Sequence, residues 1–173
     1  MVRGSRCSSK ETVLVLDTSA LLTRYPLHQY SYRLYTTPSV LEEVRDSTSR
    51  EGLELSLAVG RLAVVEPSRV YKRMVVEKAR EIGEHTSLSE TDVDVASLAL
   101  QLSRDYNVIV LTDDYSLQNT LYHLGISFKP IKTTGIKKAR RYRVYCRVCG
   151  YVPSSIGEEN CPFCGSRLVK SSS

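Results

Sequence analysis

VLVLDTS, at residues 13–19, carries the clearest signal of the fold class, and VIVLTDD, at residues 108–114, repeats its pattern later in the chain. Each stretch begins with four apolar residues, several of them β-branched, and ends in hydroxyl and acidic residues. A short run that is apolar throughout predicts a strand buried on both faces, as in a parallel sheet. Asp17 and the pair Asp113–Asp114 then fall at the carboxyl ends of two strands, where the ligands of open α/β sheets gather.

The rest of the chain alternates between strand and helix patterns. Further strands are predicted at 35–36, 62–66 and 126–131, and helices at 19–24, 39–45, 51–59, 70–83, 89 onward and 115–124. Thr37 before Pro38 pairs an N-cap residue with a first helical position, and Gly125 is placed to end the last helix. Strands that alternate with helices predict an α/β fold, with a doubly wound parallel sheet flanked by helices.

The chain divides into four parts. Residues 1–10 form a polar, flexible tail, 11–133 the α/β domain, 134–141 a basic linker, and 142–170 a small C-terminal module. So short a module cannot bury an apolar core of its own and needs a staple. No apolar run approaches the roughly 18–20 residues that cross a bilayer, and the tail has no apolar stretch behind its arginines. We therefore expect a cytoplasmic protein without a membrane segment.

Positive charge is concentrated in one segment. The chain has ordinary globular proportions, with 42% hydrophobic and 25% charged residues, but its net charge of +5 comes from seven basic residues and no acid at 132–147. Such a segment is typical of a surface that binds nucleic acid; the alternative is a linker that its charge keeps soluble. The residues expected to contact RNA are Lys137, Lys138, Arg140, Arg141, Arg143 and Arg147.

Two Cys-x-x-Cys pairs lie in the C-terminal module. Cys146 and Cys149 are followed, after eleven intervening residues, by Cys161 and Cys164. Each pair can hold one edge of a tetrahedral ion, and a glycine after each pair permits a tight turn. Four thiolates fill the shell of a zinc ion, so we predict a structural zinc ribbon. The alternatives are disulfides, which a reducing compartment disfavours, an iron site, and a redox dithiol.

Two predicted helices also carry acids. Val40, Leu41 and Val44 define the inward face of their helix. At about 100° per residue, Glu43 borders that face while Glu42 points nearly opposite, so we favour Glu43 for a site and Glu42 for solvent.

Asp92 has two explanations. Ser89 and Asp92 are spaced as a capping box, which would account for this acid completely. Asp92 also shares a helix face with Val95 and Ala96, and an acid on a buried face suits a metal site, which is the interpretation we favour. Asp94 points away from that face, and we expect it to be exposed.

Five carboxylates are therefore candidates for one site: Asp17, Glu43, Asp92, Asp113 and Asp114. Converging acids raise one another's pKa unless cations bind them. Hard divalent ions such as Mg²⁺ or Mn²⁺ prefer sites made of oxygen ligands, and such ions can activate water for attack on a phosphate. The sequence thus predicts a metal-dependent phosphodiester hydrolase.

These motifs, in this order, resemble those of PIN-domain nucleases. They are Asp17-Thr18-Ser19, the helix with Glu43, Ser89 to Asp92, and Thr112-Asp113-Asp114. With Gln118-Asn119 and the four-cysteine ribbon added, the set is similar to the Nob family of small-subunit ribosome-assembly endonucleases, in its compact archaeal form. The resemblance covers nearly the whole chain and implies a Rossmann-like PIN domain followed by a zinc ribbon.

The resemblance also implies an activity and its parts. The activity is an Mg²⁺- or Mn²⁺-dependent cut at the mature 3′ end of a small-subunit rRNA precursor, with Zn²⁺ as a structural ion. Its metal ligands would be Asp17, Glu43, Asp92 and one or both of Asp113 and Asp114, with Ser19 and Thr112 as accessory hydroxyls. The T-x-D pattern favours Asp114, but two adjacent aspartates leave either open. The implied partners are the assembling small ribosomal subunit and a KH-domain assembly factor.

Two other functions stay open. A toxin-like PIN ribonuclease that acts on tRNA or mRNA would use the same acids, although the ribbon and Gln118-Asn119 argue against it. A non-catalytic RNA-binding scaffold of ribosome assembly would keep the fold for docking, although the intact acidic set argues against that.

Overall fold

The computed structural model describes residues 10–23, 31–45 and 47–172. The predicted tail lies outside these residues except at its last position, so its flexibility stays a prediction. Within the described part of the chain, no helix is both long enough and apolar enough to cross a membrane.

A parallel sheet of five strands forms the centre of the larger domain. Its strands are β1 Thr12–Leu16, β2 Arg33–Thr36, β3 Leu62–Val64, β4 Asn107–Leu111 and β5 Ser127–Lys129. They are ordered β3-β2-β1-β4-β5, and all neighbours run parallel. The stretches at 13–19 and 108–114 contain the adjacent strands β1 and β4. They lie in the middle because they are apolar on both faces: residues 13–16 are at most 3% exposed.

Helices flank the sheet. Those of the described residues are α1 Thr18–Leu22, α2 Pro38–Glu43, α3 Ser47–Ala58, α4 Arg69–Ile82, α5 Glu90–Leu102 and α6 Tyr115–His123. The chain runs from β1 outward to β3 on one side, then returns to β4 beside β1 and continues outward to β5. This reversal is the topological switch point of a doubly wound sheet. The predicted α/β class, with a parallel sheet flanked by helices, is confirmed.

Local side-chain chemistry sets most element boundaries. The Thr37 hydroxyl accepts a hydrogen bond from the Val40 amide at 3.4 Å, with Pro38 at the first helical position, as predicted. The last strand is shorter than the predicted 126–131. It ends before Pro130, which has no amide hydrogen, and the backbone amides at 131–133 donate to the Asp113 carboxylate instead of to a neighbouring strand.

The C-terminal module is a two-stranded ribbon packed against the end of α4. Strands β6 Tyr142–Tyr145 and β7 Val169–Ser172 pair antiparallel. Gly83 ends α4 with φ at 71°, and a Cβ added there would lie 2.0 Å from the Tyr142 carbonyl oxygen. The Gly157 amide donates to the His85 carbonyl at 3.0 Å. The ribbon therefore approaches the larger domain closely enough to require glycine at position 83.

Candidate active site and metal centre

The carboxyl ends of β1 and β4 bring Asp17 and Asp114 together at the switch point. The Asp17 amide donates to the Leu111 carbonyl at 3.2 Å, which continues the pairing of the two strands by one residue. The Thr112 hydroxyl donates to Asp17 Oδ2 at 2.6 Å and accepts a hydrogen bond from the Asp114 amide at 3.1 Å. Thr112, fully buried, therefore fixes both acids in place.

Asp17 both caps α1 and faces other carboxylates. Its Oδ1 accepts from the Thr18 amide at 2.7 Å, and the carboxylate is only 7% exposed. Burial raises the pKa of Asp17; hydrogen bonds from Thr112 and Thr18 oppose that rise, and the charges of Asp114 and Glu43 add to it. A buried acid beside two further acids is an arrangement that a bound cation would stabilise.

Asp92 caps α5 and faces the same acids. The amide and the hydroxyl of Ser89 both donate to Asp92 Oδ2 at 2.8 Å, which completes the capping box. Among the described residues, Oδ1 has no hydrogen-bond partner. Burial raises the pKa of Asp92 to about 6, against hydrogen bonds from Ser89, and the charges of Asp114 and Asp17 contribute to the rise. The cap thus occupies one oxygen and leaves the other open to the cluster.

Glu43 reaches the cluster from the last residue of α2. Its Oε2 accepts a hydrogen bond from the Thr18 hydroxyl at 2.5 Å, and its charge raises the pKa of Asp17. Glu42 and Glu43 are both exposed, so the hydrogen bond from Thr18, and not burial, distinguishes Glu43. Thr18, which the sequence analysis did not single out as a site residue, therefore orients Glu43 with its hydroxyl and Asp17 with its amide.

Asp113 is engaged elsewhere. Its carboxylate accepts hydrogen bonds from the amides at 131–133 and from the Thr133 hydroxyl, at 2.9 to 3.1 Å. Burial would raise the pKa of Asp113, but these hydrogen bonds lower it overall. Its own amide donates to the Ser19 hydroxyl at 3.2 Å. Asp114 is exposed and raises the pKa of Asp17, whereas Asp113 holds a loop.

Asp94 is not exposed, so that prediction is wrong. Its side chain is 13% exposed and forms an ion pair of 2.6 Å with Lys72 of α4. Its other oxygen accepts from the Ser39 hydroxyl of α2 at 3.0 Å. Helix α5 packs against both of these helices, and a periodicity argument that assumes one buried face does not detect a second covered face.

The ribbon brings its four cysteines to one point: Cys146, Cys149, Cys161 and Cys164. Their Sγ atoms all lie within 4.8 Å of one another. The two cross pairs of sulfur atoms are 3.4 Å apart, which is too long for a disulfide bond of about 2.05 Å. Four sulfurs around an ion at about 2.3 Å are roughly 3.8 Å apart. The cluster therefore has the size of a tetrahedral metal site, and the cysteines are free thiols.

Comparison with known proteins identifies the family. A family model described as the PIN domain of ribonuclease matches residues 14–102. The endoribonuclease Nob1 of Methanothermobacter thermautotrophicus is 40% identical over 157 residues, which cover 90% of this chain and 91% of that protein.

The chain belongs to the Nob1 family of PIN-domain endoribonucleases. The predicted Rossmann-like PIN fold and the predicted endoribonuclease class are thereby confirmed.

Two further relatives match a smaller part of the chain. Ribonuclease VapC3 of Aeropyrum pernix is 39% identical over 138 residues, which cover 78% of this chain and 99% of that protein. The 20S-pre-rRNA D-site endonuclease NOB1 of Saccharomyces cerevisiae is 32% identical over 96 residues, which cover 54% of this chain and 21% of that one. The archaeal Nob1 match covers more of this chain than either.

In this Nob1-family chain, two buried amides hold the basic segment, defined as residues 134–141. Gln118 donates to the Thr112 carbonyl at 2.8 Å and accepts from the Ile136 amide at 2.8 Å. Asn119 donates to the Arg140 carbonyl and accepts from the Arg140 amide, both at 2.9 Å. The sequence analysis used this pair only as part of a family motif. Gln118 and Asn119 lie between Leu117 and Leu121 on the buried part of α6. Two side-chain amides in such a position could have indicated a structural role.

Glu84 is a second residue that the sequence analysis missed. It is 2% exposed and accepts hydrogen bonds from Asn119 at 2.7 Å and from Lys170 of the ribbon at 2.6 Å. Lys170 also donates to the Ser87 hydroxyl at 2.9 Å, and its Nζ lies 4.2 Å from the centre of the Tyr142 ring. A buried carboxylate needs such partners, and these come from both modules. No sequence spacing indicates a contact between residues 86 positions apart.

The predicted RNA-contacting residues differ in how free their charges are. Arg141 forms an ion pair of 3.4 Å with Glu81. The others are exposed and have no ion-pair partner within the described ranges: Lys137, Lys138, Arg140, Arg143 and Arg147. Most of the predicted basic surface is therefore available to an anionic ligand.

Proposed function

We propose that this chain is a metal-dependent endoribonuclease that cleaves a precursor of small-subunit rRNA at its mature 3′ end. One observation supports it most: carboxylates from four elements lie around the switch point of the sheet, near enough for their charges to act on Asp17 or Asp92. They are Asp17, Glu43, Asp92 and Asp114. The charges of Asp114 and Glu43 raise the pKa of Asp17, and those of Asp114 and Asp17 raise the pKa of Asp92. Negative charge gathered in this way, with oxygen donors alone, suits Mg²⁺ or Mn²⁺.

The protein groups around these acids support distinct roles. Asp17, Glu43, Asp92 and Asp114 would hold the divalent ions, which when bound activate water and stabilise charge on the phosphate. Thr112 and Thr18 orient the carboxylates through hydrogen bonds of 2.6 and 2.5 Å. Ser19 holds the Asp113 amide. We assign the direct contact to Asp114 rather than Asp113. Both carboxylate oxygens of Asp113 accept hydrogen bonds from residues 131–133, whereas Asp114 accepts one at Oδ1 only, from the Leu117 amide.

The ribbon supports a structural role. We assign Zn²⁺ to the four cysteines, since their sulfur atoms have the spacing of a tetrahedral site and four ligands leave no open position for catalysis. The basic segment and the ribbon would supply salt-dependent contacts to RNA phosphates. The assembling small subunit as partner follows from the proposed substrate. The KH-domain factor and the cytoplasmic location stay predictions from the sequence.

Cleavage mapping tests the function. The full chain is incubated with Mn²⁺ and an RNA that spans the mature 3′ end of the small-subunit rRNA, and the product ends are sequenced. We expect one discrete cut that leaves 5′-phosphate and 3′-hydroxyl ends. Scattered cuts, or preferred cutting of tRNA or mRNA, would favour a toxin-like ribonuclease. Binding without any cut would favour a non-catalytic scaffold.

Matched variants test the site. Asp17→Asn and Glu43→Gln should each lower the cleavage rate about 100-fold or more, while RNA affinity changes little because phosphate contacts lie elsewhere. Glu42→Gln is the control, since Glu42 adjoins Glu43 but points to solvent. Metal-dependent cleavage that survives in Asp17→Asn, or an equal loss in Glu42→Gln, would overturn the assignment.

A further inference from the structure

A cavity of about 400 Å³ opens between the two modules. Its wall includes Tyr115 and Ser116, which directly follow Asp114, and it extends to Tyr142 and Lys170 of the ribbon. The volume is in the range of sites that enclose small ligands. None of the four proposed metal ligands lines the cavity, but Tyr115 directly follows Asp114 in the chain, so an RNA strand that enters the carboxylate cluster can continue into the cavity.

The charges in this wall favour an anion. Lys137, Lys138 and Arg140 line the cavity, and none of the three has an ion-pair partner in the described part of the chain. The one acid in the wall, Glu84, is bound by Lys170 at 2.6 Å and does not offset them. A concave surface with three unpaired cations concentrates anionic ligands.

The backbone beneath these cations is already fixed. Gln118 and Asn119 hold the amides of Ile136 and Arg140 by hydrogen bonds of 2.8 and 2.9 Å. These contacts use main-chain atoms and leave the cationic side chains unengaged. A ligand would therefore order side chains but not the loop, which lowers the entropic cost of binding.

An exposed aromatic ring completes the wall. Tyr115, the first residue of α6, is 52% exposed although its neighbour Leu117 is fully buried. An exposed ring next to cations is how proteins commonly hold unpaired RNA bases, by stacking on the ring and pairing with the phosphate. An acidic peptide would match the cations but has no need of a ring or of the carboxylate cluster.

We propose that this cavity binds one unpaired nucleotide of the RNA substrate next to the scissile phosphate, with its base on Tyr115 and its phosphate against Lys137 and Lys138. The inference rests on the proposed function. It adds that the RNA must be single-stranded at the nucleotide beside the scissile phosphate. Tyr115 acts here as a positioning residue for the strand entering the carboxylate cluster.

Base stacking can be followed by fluorescence without cleavage. The full chain carrying Asp17→Asn is titrated with short single-stranded RNAs spanning the cut, each with 2-aminopurine at one position. We expect strong quenching at a single position beside the cut. Tyr115→Ala should abolish that quenching and weaken binding about tenfold, whereas Tyr115→Phe should retain both. Tyr122→Ala, which removes a 60% exposed tyrosine of the same helix outside the cavity, should leave both unchanged.

A pair of double variants tests the contribution of the cavity's positive charges to RNA binding. Replacing both Lys137 and Lys138 by alanine should lower the salt dependence of binding, by roughly 0.7 in slope per lost phosphate contact. Replacing Arg73 and Arg80, which are exposed on α4, removes the same charge away from the cavity and should have a smaller effect. If the two pairs of substitutions have equal effects, the lysines contribute only general electrostatic attraction and not a specific phosphate contact. That result would overturn the proposal.

The two proposals fail differently. Correct cleavage of the rRNA precursor with no quenched position, or quenching that survives Tyr115→Ala, overturns the nucleotide site and leaves the function standing. The opposite result is quenching that depends on Tyr115 while the natural chain, with Asp17 intact, cuts no RNA. That result would support the nucleotide site and overturn the nuclease function.

Discussion

At the scale of single residues, Asp92 has a carboxylate that the folded chain holds at a cost. Burial raises its pKa to about 6 from an ordinary value near 3.8, and the charges of Asp114 and Asp17 add to the rise. At about pH 3 and below, this acid is neutral in nearly all folded and unfolded chains. As the pH rises from about 4 to about 6, the unfolded chain ionises first, so the folded state loses stability. A helix cap alone gains nothing from that cost, whereas a metal site requires the charge.

Replacement of Asp92 by asparagine should therefore stabilise the protein when Mg²⁺ and Mn²⁺ are left out. At pH 7.5 we expect a gain of about 1 to 2 kcal/mol in the free energy of unfolding, because asparagine keeps an oxygen for the capping box without the buried charge. The gain should shrink as the pH is lowered and vanish at about pH 3, where the acid is neutral in both states. Urea unfolding at several pH values measures it. Added Mn²⁺ should stabilise the natural chain and not the variant.

Asp94→Asn is the matched control, two residues along the same helix. Its carboxylate pairs with Lys72 at 2.6 Å, so the substitution should destabilise the protein at pH 7.5, with the opposite sign. If Asp92→Asn also destabilises the protein under these conditions, Asp92 is a cap and not a strained metal ligand.

The sequence predicts the environment of a side chain only where that environment is formed within a single helix. Helical geometry separated Glu43 from Glu42, and the Ser89 spacing identified the capping box that the structure contains. It did not detect that Asp94 is covered, because the covering residues, Lys72 and Ser39, belong to other helices. The ionic environment of a side chain depends on tertiary packing that no local pattern encodes.

At the scale of elements, helix α6 links the carboxylate cluster to the basic segment. Asp114 is its N-cap residue. The side-chain amides of Gln118 and Asn119 lie on its buried face and hold the backbone at 136 and 140. The apolar runs predicted β1 and β4, and Thr37-Pro38 predicted the start of α2. The early end of β5 could have been predicted from Pro130, which has no amide hydrogen. The hydrogen bonds from the amides at 131–133 to Asp113 could not, because they depend on tertiary packing.

Asn119→Ala should release the basic segment. The substitution leaves the Arg140 amide and one oxygen of Glu84 without partners, and it leaves the Arg140 carbonyl with only the His123 ring nitrogen at 3.2 Å. We expect this to cost about 2 to 3 kcal/mol of stability. Chemical denaturation measures the loss, and hydrogen exchange at 134–141 should quicken. Tyr122→Ala, on the exposed side of the same helix, should change stability by no more than about 0.5 kcal/mol. Unaltered exchange at 134–141 in Asn119→Ala would show that other contacts hold the segment.

At the scale of the whole molecule, the close approach at Gly83 joins the modules. Gly83→Ala should be costly for two reasons: the left-handed conformation, about 1 to 2 kcal/mol, and a collision with the Tyr142 carbonyl at 2.0 Å. Gly125→Ala is the control, since it shares the left-handed conformation with φ at 72° and a Cβ there meets nothing within 4 Å.

The difference between the two variants isolates the contact between the modules. Thermal unfolding should show Gly83→Ala to be the less stable, and crosslinks between α4 and β6 should weaken in that variant alone. Equal stabilities and equal crosslinking would mean that the ribbon does not rest on Gly83 in solution.

The buried Glu84 has a consequence for how an RNA would be handled. Its partners, Asn119 and Lys170, come from the nuclease domain and the ribbon, so the spacing between the two modules is set by the protein and not by the ligand. An RNA that contacts the ribbon and enters the carboxylate cluster would meet these two sites at a spacing that the folded protein fixes. Under the proposed function, the position of the cut would then depend on the length of strand between these two sites.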